Sequence, residues 1–86
     1  MTKKATFKDL DREIGQKIRE CRVEADYSQT NLASLLGYES PTAISLIEGG
    51  ERSLKIHDLI ILCQLFMKDY SYFIGRPSDH RHKRVR

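Results

Sequence analysis

The residues able to perform nucleophilic or acid–base chemistry in this sequence are few. Ser53, His57 and Asp58 lie close together and are the residue types of a nucleophile, its general base and a supporting carboxylate. The start of a helix explains this grouping, and neither an oxyanion device nor a nucleophile elbow accompanies it. We therefore expect a protein that is not an enzyme and that uses no cofactor.

The histidines and cysteines give little support to a metal site or a disulfide. His80 and His82 could bind a metal, but no cysteine lies near them and two histidines alone make a weak site. Cys21 and Cys63 are too few and too far apart for a disulfide framework or a zinc knuckle. We expect both cysteines to be small core residues, and we expect no bound metal.

Composition indicates one soluble domain. The chain has 86 residues, of which 31% are charged and 40% are apolar, which excludes a multi-domain enzyme. The longest strongly apolar run, residues 59–63, is far shorter than the roughly 20 residues of a membrane span. The basic start, residues 1–4, is not followed by the apolar stretch of a signal peptide. We expect a cytoplasmic protein with no membrane segment and no small-molecule ligand.

The net charge of +3 is unevenly distributed along the chain. Residues 76–86 hold five basic side chains and one acidic side chain, so residues 1–75 have a small net negative charge. We expect a nearly neutral folded part and a disordered basic tail. The tail admits three roles: an arm that binds DNA non-specifically, a solvated segment of little function or, least favoured, a metal site at His80 and His82.

Apolar residues recur at helical spacing along the sequence, and no strand-like alternation of useful length occurs. The first helix is predicted at about residues 8–26, with Thr6 or Asp9 as a cap. Its apolar residues follow one another at spacings of four, four and three, which places them on one face. They are Leu10, Ile14, Ile18 and Cys21.

Two short helices follow, joined by a turn that contains glycine. Ser28 is a good N-cap for the second helix, and Gly37 is a good residue to end it. The residues that this helix is expected to bury are Leu32, Ala33, Leu35 and Leu36. The third helix is predicted at about residues 41–48, since Ser40 can cap it and Pro41 suits the first helical position. This arrangement is typical of a helix-turn-helix.

The fourth and fifth helices complete the domain. The fourth begins near Lys55 or Ile56, and its residues at core spacing are Ile56, Leu59, Ile60, Cys63 and Phe66. The fifth, about residues 69–74, has three aromatic residues that we expect mostly in the core: Tyr70, Tyr72 and Phe73. The sequence thus predicts an all-α fold, a compact five-helix bundle over residues 8–75. A flexible N-terminus, residues 1–7, precedes it, and the basic C-terminal tail, residues 76–86, follows.

Two ordered motifs in this bundle resemble those of a known family. The run SQTNLASLLG at residues 28–37 is similar to the second-helix signature of phage repressor and Cro proteins, the XRE family. The run ISLIEGGER at residues 44–52 is similar to the signature that closes the third helix of that family. The resemblance extends from residue 14 to residue 75. It implies a lambda-repressor-like helix-turn-helix fold whose third helix enters the major groove of DNA.

The resemblance also implies which residues contact DNA. Gln29, at the start of the second helix, matches a glutamine that touches the DNA backbone, and free N–H groups at a helix start favour a phosphate. The base-reading positions are Ser40, Thr42, Ser45 and Leu46. Arg52 and, less closely, Lys55 match a basic loop that binds phosphates. A structural ion pair between Arg22 and Glu48, joining the first helix to the third, is implied as well.

These observations favour a transcriptional regulator, a repressor or autoregulator, that binds double-stranded DNA at a palindromic operator as a homodimer. The alternative is a protein-interaction module, antitoxin-like or an adaptor, built on the same fold. Three observations favour this alternative: the absence of Arg, Lys, Gln and Asn between Ser40 and Glu48, the exposed apolar Leu46, and the nearly neutral folded part of the chain. Glu39 in addition places a negative charge where phosphates should approach.

Overall fold

A computed structural model describes residues 6–75 of the chain. It has five helices: α1 (Phe7–Glu24), α2 (Gln29–Leu36), α3 (Thr42–Glu48), α4 (Ile56–Phe66) and α5 (Tyr70–Ile74). No strand occurs in this part of the chain, so the predicted all-α, five-helix fold is confirmed. The predicted basic tail and residues 1–5 lie outside the described residues. Between residues 6 and 75, no helix has both the length and the apolar character needed to cross a membrane.

Both residues predicted as caps of α1 act together. Thr6 Oγ1 accepts a hydrogen bond from the Asp9 N–H at 3.1 Å, and the Asp9 carboxylate accepts one from the Thr6 N–H at 3.2 Å. This reciprocal capping box satisfies N–H groups at the helix start. The helix ends at Glu24, earlier than predicted, because Asp26 takes a left-handed conformation with φ 67.

The ends of α2 are also set by local hydrogen bonds. Ser28 Oγ accepts from the Asn31 N–H at 2.9 Å, and Gly37 ends the helix with φ 85. Leu32 and Ala33 are buried as predicted. The prediction that Leu35 is buried is wrong, since half of this residue is exposed. Leu32 and Leu36 are four residues apart and share the face through which α2 packs, and Leu35 lies to the side of that face.

Residues of all five helices form the core. α1 packs against α3 and α5, α2 packs against α3, and α4 packs against α5. The residues of the core are Ile18, Cys21, Leu32, Ala33, Ile44, Ile47, Leu59, Leu62 and Phe73. Cys63 packs against this cluster from its edge, and both cysteines are free thiols. The contact between α1 and α3 fixes the orientation of the helix that the sequence predicts to read DNA.

The apolar residues of α4 and α5 are not all in the core. Leu59 and Leu62 are buried, as is Phe73 of α5. Ile56, Ile60 and Tyr70 are 68%, 52% and 65% exposed, so the prediction that they belong to the core is wrong. Apolar residues cover more than one side of α4, and their spacing alone therefore does not identify the buried side.

Candidate nucleic-acid interface

The turn between α2 and α3 is held by a hydrogen bond near each end. After Gly37, the Tyr38 N–H donates to the Ala33 carbonyl at 2.8 Å. Before α3, Ser40 Oγ accepts from the Thr42 N–H at 3.2 Å. The third helix begins at Thr42, one residue later than predicted, and Pro41 is its N-cap. The start of α3 is therefore fixed relative to the end of α2.

α3 has a buried face and an outward face. The buried residues are Ala43, Ile44 and Ile47, together with Glu48 at its end. Thr42 and Ser45 are exposed and Leu46 is half-buried. Spacings of three and four residues place these three on the same side of the helix. The outward face of α3 thus carries the residues expected to read bases, and the exposed Ser40 lies just before its start.

Arg22 and Glu48 form an ion pair between α1 and α3. Arg22 Nε lies 2.6 Å from Glu48 Oε2, and Arg22 Nη2 lies 3.2 Å from Glu48 Oε1. The two side chains are 11% and 4% exposed, so the pair is largely removed from water. Arg22 Nη1 also donates to the carbonyl of Tyr27 at 2.9 Å. The pair therefore joins the end of α3 to α1 and to the segment that follows α1.

Gln29 at the start of α2 belongs to the same cluster. Its Nε2 donates to Glu48 Oε1 at 3.1 Å, and the residue is half-buried. Glu48 accordingly accepts hydrogen bonds from two nitrogen atoms of Arg22 and one of Gln29. The sequence indicated a DNA contact for Gln29 but not this bond, which connects residues 19 positions apart.

The loop after α3 folds back onto the helix it leaves. The Glu51 and Arg52 N–H groups both donate to the Leu46 carbonyl, at 2.9 and 3.2 Å. Gly50 has φ 79, and a Cβ at this position would lie 2.8 Å from the Cα of Arg12. Glycine alone suits such a position, both for its backbone conformation and for its small size. The loop therefore holds Arg52 next to the outward face of α3.

Arg52 and Lys55 converge on one aromatic ring. The guanidinium carbon of Arg52 and Nζ of Lys55 each lie 5.9 Å from the ring centroid of Tyr38. This distance is within the range over which an aromatic face attracts a cation. Neither cation forms an ion pair with any carboxylate of residues 6–75. Both residues are exposed, so their charges are available to an anion.

Tyr38 is bonded to Asp58 in the first turn of α4. The Tyr38 hydroxyl donates to Asp58 Oδ2 at 2.6 Å, and Asp58 is only 3% exposed. The hydrogen bond to this carboxylate, followed by burial, raises the pKa of the Tyr38 hydroxyl. The phenol therefore remains a donor at neutral pH. The sequence analysis assigned neither Tyr38 nor Asp58 to the site. The signal that could have found them is Asp58 itself, an acidic residue directly before the apolar run of α4.

A shallow cleft of about 260 Å³ lies between the turn and the loop. Four predicted DNA contacts line it: Ser40, Thr42, Leu46 and Arg52. Glu39 lines it as well and places a negative charge at its edge. Gln29, Ser45 and Lys55 do not line this cleft. Lys55 lies beside it, because its Nζ is over the ring of Tyr38, which is one of the lining residues.

The residues that could have formed a catalytic group have separate partners. The Ser53 hydroxyl donates to Asp11 Oδ2 at 2.7 Å, Asp58 accepts from Tyr38, and His57 is exposed. In the described part of the chain, no group of three or more His, Cys, Asp or Glu side chains could hold a metal ion. The pair His80 and His82 lies outside the described residues.

Two short helices joined by a fixed turn, the second with a polar outward face, define a helix-turn-helix. Residues 13–67 match the family described as the helix-turn-helix domain, and the chain belongs to this family. Among solved structures, it is similar to that of a hypothetical transcription factor, NHTF, from Neisseria. The TM-score is 0.69 and the identity 17%, over 96% of this chain and 94% of that one, which shows a shared fold. The sequence matches no curated protein.

Proposed function

We propose that this protein is a DNA-binding transcriptional regulator, a repressor or autoregulator, that binds a palindromic operator as a homodimer. The observation that carries the proposal is the outward face of α3. Its exposed Thr42 and Ser45 lie on a helix that is fixed at its start by the Ser40 hydrogen bond and at its end by Glu48. A rigid helix with a polar outer face is what insertion into a major groove requires.

The side chains of this face can read base edges only in particular ways. A hydroxyl of Thr42 or Ser45 can donate to or accept from several bases, and Leu46 can contact the methyl group of thymine. None of them forms the bidentate contact that an arginine or a glutamine forms. We infer an operator in which individual base pairs contribute modestly and in which phosphate contacts contribute much of the affinity.

An exposed apolar groove supports the homodimer. It has a volume of about 500 Å³ and lies between α4 and α5. Four of the residues that line it are exposed: Ile56, Ile60, Tyr70 and Ile74. Contiguous apolar surface of this kind marks interaction sites in soluble proteins. Two copies joined here would present two α3 helices to DNA, and half-sites one helical turn apart, about 34 Å, would receive them.

A protein-interaction module remains the second candidate function. Half of Leu35 on α2 is exposed, and Leu46 lies on the outward face of α3. Apolar side chains on both helices of the motif fit a protein partner as well as they fit thymine methyl groups. In this case DNA binding would depend almost entirely on the basic residues 76–86.

The proposal can be tested by selecting DNA with a variant of the chain in which residues 76–86 have no net charge. In this variant Arg81, Lys83, Arg84 and Arg86 are each replaced by glutamine. It is incubated with a random duplex library at about 150 mM salt, where non-specific binding is weakened. A regulator should recover a two-fold symmetric motif. A folded variant that enriches no sequence would contradict the proposal and favour the protein-interaction module.

A matched pair of variants then tests α3 itself. Thr42→Ala should relax the preference at one position of each half-site, with a loss of about tenfold at that base, since the hydroxyl is the group in contact. Thr30→Ala removes the same hydroxyl from an exposed position of α2 and should leave the selected motif unchanged. If both variants select the same motif as the parent, Thr42 does not read a base.

A further inference from the structure

Tyr38 is held in place at both ends. Its N–H donates to the Ala33 carbonyl at 2.8 Å, which fixes its main chain to the end of α2. Its hydroxyl donates to Asp58 Oδ2 at 2.6 Å, which fixes the far end of the ring to the first turn of α4. The ring therefore spans the space between the helix-turn-helix and α4, and its orientation is determined by two helices.

The bond to Asp58 is costly to break. Asp58 is 3% exposed, and a carboxylate removed from water needs a hydrogen-bond donor. It also lies in the first turn of α4, where the free N–H groups of a helix start carry partial positive charge. A bond between a neutral donor and a charged acceptor is stronger than one between neutral groups. The Tyr38 ring is consequently a rigid platform.

Two exposed cations lie over this platform. Arg52 and Lys55 are each 5.9 Å from the ring centroid, so their charges are separated by at most twice that distance. Two long side chains of like charge would otherwise move apart in water, and the attraction of the ring face opposes this. With no carboxylate of residues 6–75 paired to either cation, the pair is arranged to receive an anion.

The position of the pair indicates which anion. Arg52 lines the same cleft as Thr42 and Leu46 of α3. A duplex that receives α3 in its major groove has its phosphates at the borders of that groove. Phosphate contacts there fix the register of a recognition helix, although they carry no sequence information themselves.

We propose that Tyr38 is a positioning residue: bonded to Asp58, it orients Arg52 and Lys55 toward phosphates of the DNA backbone and so sets the register of α3. This inference rests on the proposed function, because it needs a duplex bound at α3. It adds a residue that contacts no base and acts through the two cations above it. The ring is the contributing group, and the Asp58 bond keeps the ring in place.

The salt dependence of DNA binding tests the inference. The full chain is titrated with a 30-base-pair duplex of random sequence, and its affinity is measured from about 50 to 200 mM salt. Each neutralised phosphate contributes about 0.9 to the slope of log affinity against log salt. The double variant Arg52→Gln, Lys55→Gln should lower the magnitude of this slope by about 2. Raising the salt from about 50 to 200 mM should then weaken binding of the variant by a factor about tenfold smaller than for the wild-type chain. Tyr38→Leu should give a similar decrease, and Tyr38→Phe, which keeps the ring and loses the Asp58 bond, a smaller one.

Combining the variants separates positioning from a loss of stability. In the Arg52→Gln, Lys55→Gln background, Tyr38→Leu should have little further effect on affinity, since the cations that it orients are gone. Tyr72→Leu is the matched control: this tyrosine of α5 also has two lysines over its ring, at 4.5 and 5.6 Å. It should leave the slope unchanged. All measurements are made well below the melting temperature of each variant.

The outcomes distinguish this inference from the function on which it rests. If the wild-type chain does not bind duplex DNA at low salt, or if replacing Arg81, Lys83, Arg84 and Arg86 by glutamine abolishes that binding, the proposed function fails and the inference fails with it. If the chain still binds after the tail substitutions and both Tyr38 variants keep the wild-type slope, only the positioning role is overturned. The same conclusion holds if Tyr38→Leu weakens binding equally with and without the two cations.

Discussion

Gly15 of α1 lies directly against the main chain of Glu48, the last residue of α3. A Cβ at Gly15 would lie 2.6 Å from the Glu48 carbonyl oxygen and would also overlap the Ile47 carbonyl. The two helices therefore meet backbone to backbone, and the adjacent Arg22–Glu48 ion pair closes the same contact. The end of the proposed recognition helix is fixed by a residue with no side chain and by a charge pair.

The close approach at Gly15 predicts that a better helix former will destabilise the protein. Gly15→Ala should lower the free energy of unfolding by about 1–3 kcal/mol, because backbone atoms cannot move aside as a side chain can. Helix propensity alone predicts a gain of up to about 1 kcal/mol. Thermal unfolding followed by circular dichroism measures the sign. Arg19→Ala, at an exposed position of the same helix, is the control and should change stability little.

The ion pair predicts a difference between two glutamates of the same segment. Glu48→Gln should cost about 3 kcal/mol, because it leaves Arg22 charged, largely buried and without its anion. For a domain of this size, that loss lowers the melting temperature by roughly 12–24 °C. Glu51→Gln changes an exposed carboxylate and should have almost no effect. Equal melting temperatures for the two variants would show that the pair contributes no net stability.

Local hydrogen bonds explain why the start of α1 and both ends of α2 could be predicted from the sequence. Thr6, Ser28 and Gly37 act through residues no more than four positions away, so their effect on the chain can be read without knowing the fold. The helix-turn-helix was predictable for the same reason. Its turn and both of its short helices lie within residues 28–48.

Contacts between distant residues explain what could not be predicted. The Tyr38–Asp58 bond joins residues 20 positions apart, and the position of Gly15 against α3 depends on how two helices cross. In α4, Leu62 is fully buried and Ile60 is half-exposed, although both are apolar. Which of them faces the core depends on how α4 packs against α5 and the rest of the bundle, and periodicity does not contain that information.

If the groove between α4 and α5 is the dimer contact, a charged residue placed in it should give a folded monomer. Ile60→Glu places a charge on the proposed dimer contact, where its desolvation should weaken self-association by about 30-fold or more, equivalent to about 2 kcal/mol. The melting temperature of the monomer should change little, since Ile60 is 52% exposed. Sedimentation equilibrium gives the association constant. Val23→Glu, at a 55% exposed position of α1, is the matched control. Identical association constants for the two variants would exclude this groove as the dimer contact.

The raised pKa of Tyr38 predicts how its contribution to stability varies with pH. The folded protein holds the phenol proton more tightly than the unfolded chain, whose tyrosines titrate near pH 10. The stabilisation is therefore complete below about pH 10 and is lost as the pH rises through the folded-state pKa.

Tyr38→Phe should cost about 2 kcal/mol at pH 7, because it leaves the buried Asp58 carboxylate without this donor, and the difference from wild type should shrink in alkaline solution. Urea unfolding at pH 7 and above pH 10 measures it, with the exposed Tyr70→Phe as control. A difference that stays constant over this range would contradict the assignment of the proton to the Tyr38–Asp58 bond.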